Sequence, residues 1–202
     1  MSSKDRIQRI KDDTRINILN ASLDIAKRDG WTALSMRKIA DAIDYTAPII
    51  YEYFANKEAL LLELTKRGYL ILTRYIREAK SLHQSPAMQL EAMWFSYWDF
   101  AFENKAFYQL MFGVEISPCH DLAETLPESK EPFNQFREVI INLMHAEQPS
   151  PEIICLKYYT FWSLIHGLIS INIIQRAHSA EQNNHILKEA ISTIIKSIEK
   201  AA

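Results

Sequence analysis

Three sets of residues in this 202-residue chain have types and spacings that suit chemistry. Ser35 and Thr46 are good N-cap residues for two short helices, and the unpaired N–H groups at such helix starts bind phosphate. Trp94, Phe95, Tyr97, Trp98, Phe100, Phe102, Phe107, Tyr108 and Phe112 place nine of the chain's 22 aromatic residues within 19 positions. Rings facing every side of one helix cannot all pack on one neighbour, so some line an internal pocket or a second interface; the plainer alternative is a large helical core. Tyr97, Trp98, Tyr108 and Trp162 carry polar atoms that need partners when buried. Cys119 beside His120 pairs a thiol with a base, but both lie in an acidic, Pro-bearing stretch with no third group to orient them. The only other cysteine, Cys155, does not complete a metal-ligand spacing. No catalytic residue, metal or cofactor is therefore assigned, and the chain reads as a non-enzyme.

The elements that must position these residues are helices. Four Gly and seven Pro stand against 48% hydrophobic residues, which excludes many-stranded sandwiches, barrels and Gly-rich nucleotide folds. The net charge is −2 and the pI about 6.3, so any nucleic-acid site must be local. Residues 1–57 hold 10 Lys or Arg against 8 Asp or Glu, and residues 58–202 hold 13 against 17. Met1 to Lys11 has no apolar run behind its charges, and Phe161 to Ile174 is too short for a span and is interrupted by Ser163, His166 and Asn172. A cytoplasmic protein with no membrane partner is expected.

Along the chain, Ile18, Ala21, Ser22, Ile25 and Ala26 share one face of a helix from about Lys4 to Asp29. Gly30 ends it in a left-handed turn, with Trp31 folding back on the last turn. Ser35 caps a helix carrying Ile39, Ala40 and Ile43, and Thr46 caps a second one whose first turn holds Pro48, where a missing N–H costs nothing. Asp44 lies in the turn between them, as one of the few non-Gly residues that tolerate positive φ. Asn56 caps a fourth helix from Lys57 to about Ser81. Pro86 to Asn104 and Lys105 to Phe112 are helical, and Val114 to Pro132 is expected to be a loop or broken helix. Helices then run from about Phe133 to His145, Glu152 to His178 and Glu181 to Lys200.

A supporting helix followed by two short helices at a tight turn is the helix-turn-helix arrangement, whose second helix fits a DNA major groove of roughly 12 Å. Such pairs also occur as plain structural corners. Here the run Ile18, Leu19, Ala21, Gly30, Ser35, Arg37, Ile39, Ala40, Thr46, Tyr51, Tyr53, Phe54, Lys57, Glu58 and Leu60 resembles the DNA-binding domain of the TetR family of bacterial transcriptional regulators. It departs from the family pattern at Asp44 and Tyr45 in the turn and at Ala47 and Pro48 opening the recognition helix. The resemblance implies phosphate contacts from Ser35, Thr46, Tyr51 and Lys57, and a phosphate or base contact from Arg37. It implies base readout from Ala47 to Tyr51, with Ala47, Pro48 and Ile49 offering apolar contact to thymine methyls, Tyr45 joining at the groove edge and Tyr53 beside them. Lys4, Arg6, Arg9 and Lys11 form either a basic arm along the DNA or a frayed, solvated helix turn.

Phe107 to Gly113 with Trp162, His166 and Gly167 resembles a TetR-type C-terminal class named for its Trp, His and Gly signature. Candidate ligand-binding residues are Trp94, Tyr97, Trp98, Tyr108, Met111, Phe133, Phe161, Trp162 and His166, with His166 either a ligand contact or a buried histidine bonded to a backbone carbonyl. Gly167 would permit close helix approach there. Phe161, Leu164, Ile165, Leu168, Ile171 and Ile174 form one wide apolar stripe, and Leu187, Ile191, Ile194, Ile195 and Ile198 another. They either close the monomer's core or, as the resemblance implies, pair across a two-fold axis. The expectation is an all-α chain with a three-helix helix-turn-helix DNA-binding domain (1–57) and a helical ligand-binding and dimerisation domain (58–202). It would act as a homodimeric, ligand-responsive regulator, a repressor released from a palindromic double-stranded DNA operator by a small, mostly apolar effector. A helical small-molecule enzyme and a helical adaptor module are the alternatives.

Overall fold

The computed structural model describes residues 3–113, 126–144, 149–175 and 179–199. Among these every regular element is helical: α1 (Ser3–Asp29), a 3-10 turn (Trp31–Ala33), α2 (Met36–Ala42), α3 (Ala47–Tyr53), α4 (Lys57–Ser81), α5 (Pro86–Glu103), α6 (Lys105–Phe112), α7 (Pro127–Met144), α8 (Pro151–Gln175) and α9 (Ala180–Glu199). None of the described helices is long and apolar enough to cross a membrane. Two compact units result, residues 1–68 with 106–125 and residues 69–105 with 126–202. α4 thus contributes to both, and α6 joins the first.

In the first unit, Ile18, Ile39, Ile50, Leu60 and Leu64 are fully buried and seat α2 and α3 on α1 and α4. The caps follow the sequence closely. Ser35 Oγ accepts from the Lys38 N–H at 3.3 Å, and Asn56 Oδ1 accepts from the Ala59 N–H at 2.8 Å. Thr46 stands at the backbone N-cap of α3 without a side-chain cap bond. Gly30 differs from expectation. Its φ is +83°, but its ψ of 162° is a mirror-extended conformation, essentially reserved for glycine, and not the left-handed helical one. The Gly30 N–H still closes on the Ala26 carbonyl at 2.9 Å, and the chain then enters the 3-10 turn. Trp31 is buried, and its indole N–H donates to the Ala106 carbonyl at 2.9 Å.

Asp44 has φ +58°, and the Tyr45 N–H returns to the Ala40 carbonyl at 2.9 Å to close the turn between α2 and α3. A left-handed conformation costs an L-residue roughly 1–2 kcal/mol, with Asp among the exceptions because its short side chain bonds locally. Asp44→Ala should therefore lower stability by about 1 kcal/mol while Asp44→Gly leaves it within about 0.5 kcal/mol of the parent, read by urea unfolding. Equal midpoints for Asp44→Ala and the parent would show that the turn carries no strain.

The second unit is built on α5, α7, α8 and α9, with Trp94, Phe100, Phe136, Phe161, Ile165 and Ile191 fully buried. α7 begins at Pro127, six residues before the expected Phe133, and Pro132 lies buried within it. At the sixth helical position this proline removes only one early backbone bond. Phe136, Val139, Ile140 and Leu143, at i, i+3, i+4 and i+7, bury the same face, and outside it Arg77 pairs with Glu131 and Lys80 with Glu138 (2.7 Å). Of the stretch expected to be irregular, residues 114–125 lie outside the described residues, as do Cys119 and His120. Gly167 is no close-contact position, because a Cβ there would meet nothing within 4 Å. Gly68 is one: a Cβ would fall 2.6 Å from Met111 Sδ and 3.3 Å from Phe107 Cδ1, so α4 and α6 approach at this point.

Candidate functional site

The two short helices place the expected DNA-facing residues unequally. Ser35, Arg37, Thr46 and Pro48 are exposed, Tyr45 and Tyr51 are 42% and 52% exposed, and Ala47, Ile49, Tyr53 and Lys57 are partly covered. Helical register puts Pro48, Tyr51 and Glu52 on one face of α3, with Ile50 on the opposite, buried one. Since the Ser35 oxygen already accepts the Lys38 N–H, the Thr46 hydroxyl is the less committed of the two.

Lys57 is tied inward. Its Nζ donates to the Leu34 carbonyl at 2.7 Å and the Trp31 carbonyl at 3.5 Å, so the ammonium closes the carbonyl end of the 3-10 turn. Arg15, which the sequence reading passed over, stands beside α3. Its guanidinium lies 4.6 Å from the Phe54 ring centre, donates to the Tyr53 carbonyl at 3.5 Å and pairs with Glu63 at 3.1 Å. Glu52 was also missed, although its place next to Tyr51 and four residues after Pro48 puts it on the exposed face. A carboxylate there repels phosphate but can accept from cytosine N4. Residues 3–13 are helical and exposed, which carries Lys4, Arg6, Arg9 and Lys11 into solvent.

The aromatic residues assemble in the second unit. Trp94 stacks on Phe136 with centroids 3.9 Å apart and on Phe161 at 5.4 Å, and meets Tyr97 edge-on at 5.7 Å. Phe133 meets Tyr158 edge-on at 4.8 Å. The Trp162 indole N–H donates to Tyr97 Oη at 3.2 Å, and His166 stacks on Trp162 at 4.7 Å, 12° from parallel. The structure thus brings Trp94, Tyr97, Phe133, Phe161, Trp162 and His166 into one continuous set. Phe136 and Tyr158 complete it; the signal for both was helical spacing, three residues after Phe133 and three before Phe161. Trp98 lies apart, tilted on Phe102 at 4.7 Å. Tyr108 and Met111 are buried in the first unit, Tyr108 against Phe112 and Met111 against Gly68.

Within this set Trp94 Nε1 is buried and has no hydrogen-bond partner among the described residues. Burial, followed by the fields of Tyr159 and Tyr69, raises the Tyr158 phenol above its ordinary range, so it stays protonated. Burial also holds the His166 imidazole below its ordinary pKa of 6.5. A histidine kept neutral in the fold stabilises fully above its unfolded pKa and loses that contribution as pH falls through the folded value. Between pH 7.5 and 5.5 the parent should therefore lose more thermal stability than His166→Phe, which keeps the stack on Trp162. Parallel melting curves for the two would contradict this.

Residues 18–64 match the family model described as bacterial regulatory proteins, tetR family, and residues 90–194 match the tetracyclin repressor-like C-terminal domain. The HTH-type transcriptional activator FasR of Mycolicibacterium smegmatis is 26% identical over 102 residues, 50% of this chain and 47% of that one. The match thus spans about half the length of that relative. Among solved structures, the regulatory protein SCO4313 superposes with a TM-score of 0.78 at 18% identity, covering 94% of this chain and 98% of that one. Thermus thermophilus FadR, a TetR family transcriptional repressor in complex with lauroyl-CoA, superposes with a TM-score of 0.61 at 16% identity, covering 93% and 94%. The second family match alone takes in more than half of the chain, and together with the helix-turn-helix unit it establishes that this protein belongs to the TetR family of DNA-binding bacterial transcriptional regulators.

Proposed function

We propose that the protein is a homodimeric, ligand-responsive repressor that leaves a palindromic operator when a small, mostly apolar effector binds. The observation that carries this reading is the exposed face of α3 and of the turn before it, where Tyr45, Thr46, Pro48 and Tyr51 stand clear of a fully buried Ile50. Arg37, Ser35 and Thr46 supply phosphate contacts, and Ala47, Pro48, Ile49 and Tyr51 meet thymine methyls and base edges, with Tyr45 and Tyr53 at the flanks. Lys57 acts mainly by bracing the turn that carries α2. Repression is the simpler output, since a bound dimer need only occupy the site, although FasR is named an activator.

The effector reading is supported by the Trp94 N–H, which among the described residues has no partner inside a mostly aromatic set and so suits a ligand carrying one hydrogen-bond acceptor. FadR, a structural relative, holds lauroyl-CoA, a long apolar chain on a polar head. A ligand shifts the regulator only by its preference between conformers. α4, divided between the two units, is the element through which that preference reaches the recognition helix.

Dimerisation is supported by the face of α8 that its own unit leaves open. Leu156, Tyr159 and Ile174 are 64%, 57% and 78% exposed, whereas the α9 stripe from Leu187 to Ile198 is buried within the unit, leaving Ile186 partly open. The test is fluorescence anisotropy with a palindrome from the protein's own promoter, alongside native mass measurement. Two protomers per site are expected, and Leu156→Asp with Ile174→Asp should give a monomer that binds at least about tenfold more weakly. A parent that is monomeric at micromolar concentration and binds DNA as one copy would overturn the dimer reading.

A further inference from the structure

A groove of about 610 Å³ opens in the second unit between α5, α8 and α9, within the size range of small-molecule sites. Phe95, Trp98 and Phe102 form its wall, and Asn172 and Asn183 lie in its floor. The two amides are buried and bond each other reciprocally at 3.0 and 2.7 Å, and Asn172 also donates to the Leu168 carbonyl at 2.8 Å. Their polar groups are thus turned largely on each other, which makes the floor close to neutral.

The charge is at the mouth. Asp99 lines the groove, and among the described residues its carboxylate has no hydrogen bond and no ion pair. Burial first and the like charge of Glu103 second push its pKa up. Glu103 itself accepts from Tyr75 Oη at 2.6 Å. Lys105 also borders the groove, but among the described residues this one cation stands against the carboxylates of Asp99 and Glu103. Aromatic faces add negative potential of their own. An anion would meet the Asp99 carboxylate beside three aromatic rings; a neutral molecule would leave the carboxylate without a counter-charge.

We propose that this groove is a binding site for a small organic cation, an ammonium group carried on an apolar or aromatic body, with Asp99 as its counter-charge and Trp98 and Phe102 as its cation–π wall. The site is separate from the stacked set around Trp94, which lies among α5, α7 and α8. Its test needs no DNA and so does not depend on the regulator reading. Benzyltrimethylammonium, 3-phenylpropan-1-ol and 3-phenylpropionate are titrated into the full chain by calorimetry at neutral pH. The ammonium should bind and the other two should bind at least about tenfold more weakly. Asp99→Asn, at an exposed position, should weaken the ammonium about tenfold, and Trp98→Ala by a similar factor, while Trp162→Ala leaves it unchanged. Equal affinity for the carboxylate probe, an unaltered affinity in Asp99→Asn, or a loss caused by Trp162→Ala in place of Trp98→Ala would overturn the proposal.

Discussion

Trp94→Ala is expected to destabilise the protein by about 3–5 kcal/mol, whereas Trp94→Phe costs far less. Trp94 is fully buried and touches the rings of Phe136, Phe161, Tyr97 and Tyr158. Alanine removes the whole indole from the centre of that packing and leaves a cavity that neighbouring rings fill only in part. Phenylalanine also loses volume, but it removes a buried N–H that has no partner among the described residues, a feature worth about 1–3 kcal/mol in the opposite direction. The two variants therefore separate packing from polarity at one position. Urea unfolding checks both, with the midpoint of Trp94→Phe close to the parent's. An equal, large loss in both would mean that the indole N–H finds a partner in solution.

The second large effect is expected at Trp31. Trp31→Phe keeps most of the buried ring but removes the donor to the Ala106 carbonyl, and should cost about 1–3 kcal/mol. Trp31→Ala adds the loss of a 6% exposed side chain and should cost about 3–5 kcal/mol. This bond joins residues 75 positions apart and ties the start of α6 to the unit that carries the recognition helix. The phenylalanine variant should therefore also alter how operator affinity responds to an effector, at unchanged secondary structure by circular dichroism. Unfolding midpoints of the parent and Trp31→Phe that coincide would remove the bond from the account.

What was legible in the sequence was local. Ser35, Asp44, Thr46 and Asn56 announce caps and turns because such residue types suit the backbone of the adjoining turn; each stands where expected, Ser35 and Asn56 with a side-chain bond three residues on. Long-range pairings were not legible. Lys57 reads as a phosphate ligand in isolation, yet carbonyls 23 and 26 positions earlier hold its ammonium. Tyr108 and Met111 read as pocket lining by composition, but Gly68 admits α6 against α4 in the first unit. Pro132 marks a break by local rules, and the buried face of Phe136, Val139 and Ile140 carries the helix through it. The aromatic run gave the right neighbourhood for a packed set, while the groove beside Trp98 depends on α8 and α9, some 70 residues and more away.

The central claim, that the exposed face of α3 reads an operator, is tested most directly by the salt dependence of binding. Affinity of the parent for a palindrome from its own promoter is measured at several salt concentrations, beside a scrambled duplex and the Arg37→Ala, Tyr51→Ala double variant. Both substituted residues are exposed, so the variant should melt as the parent does. The account predicts a complex at least about a thousandfold tighter than with the scrambled duplex, an affinity that falls steeply with salt, and a shallower slope and weaker binding in the variant. Equal affinity for the two duplexes, or an unchanged slope and affinity in a folded double variant, would contradict it.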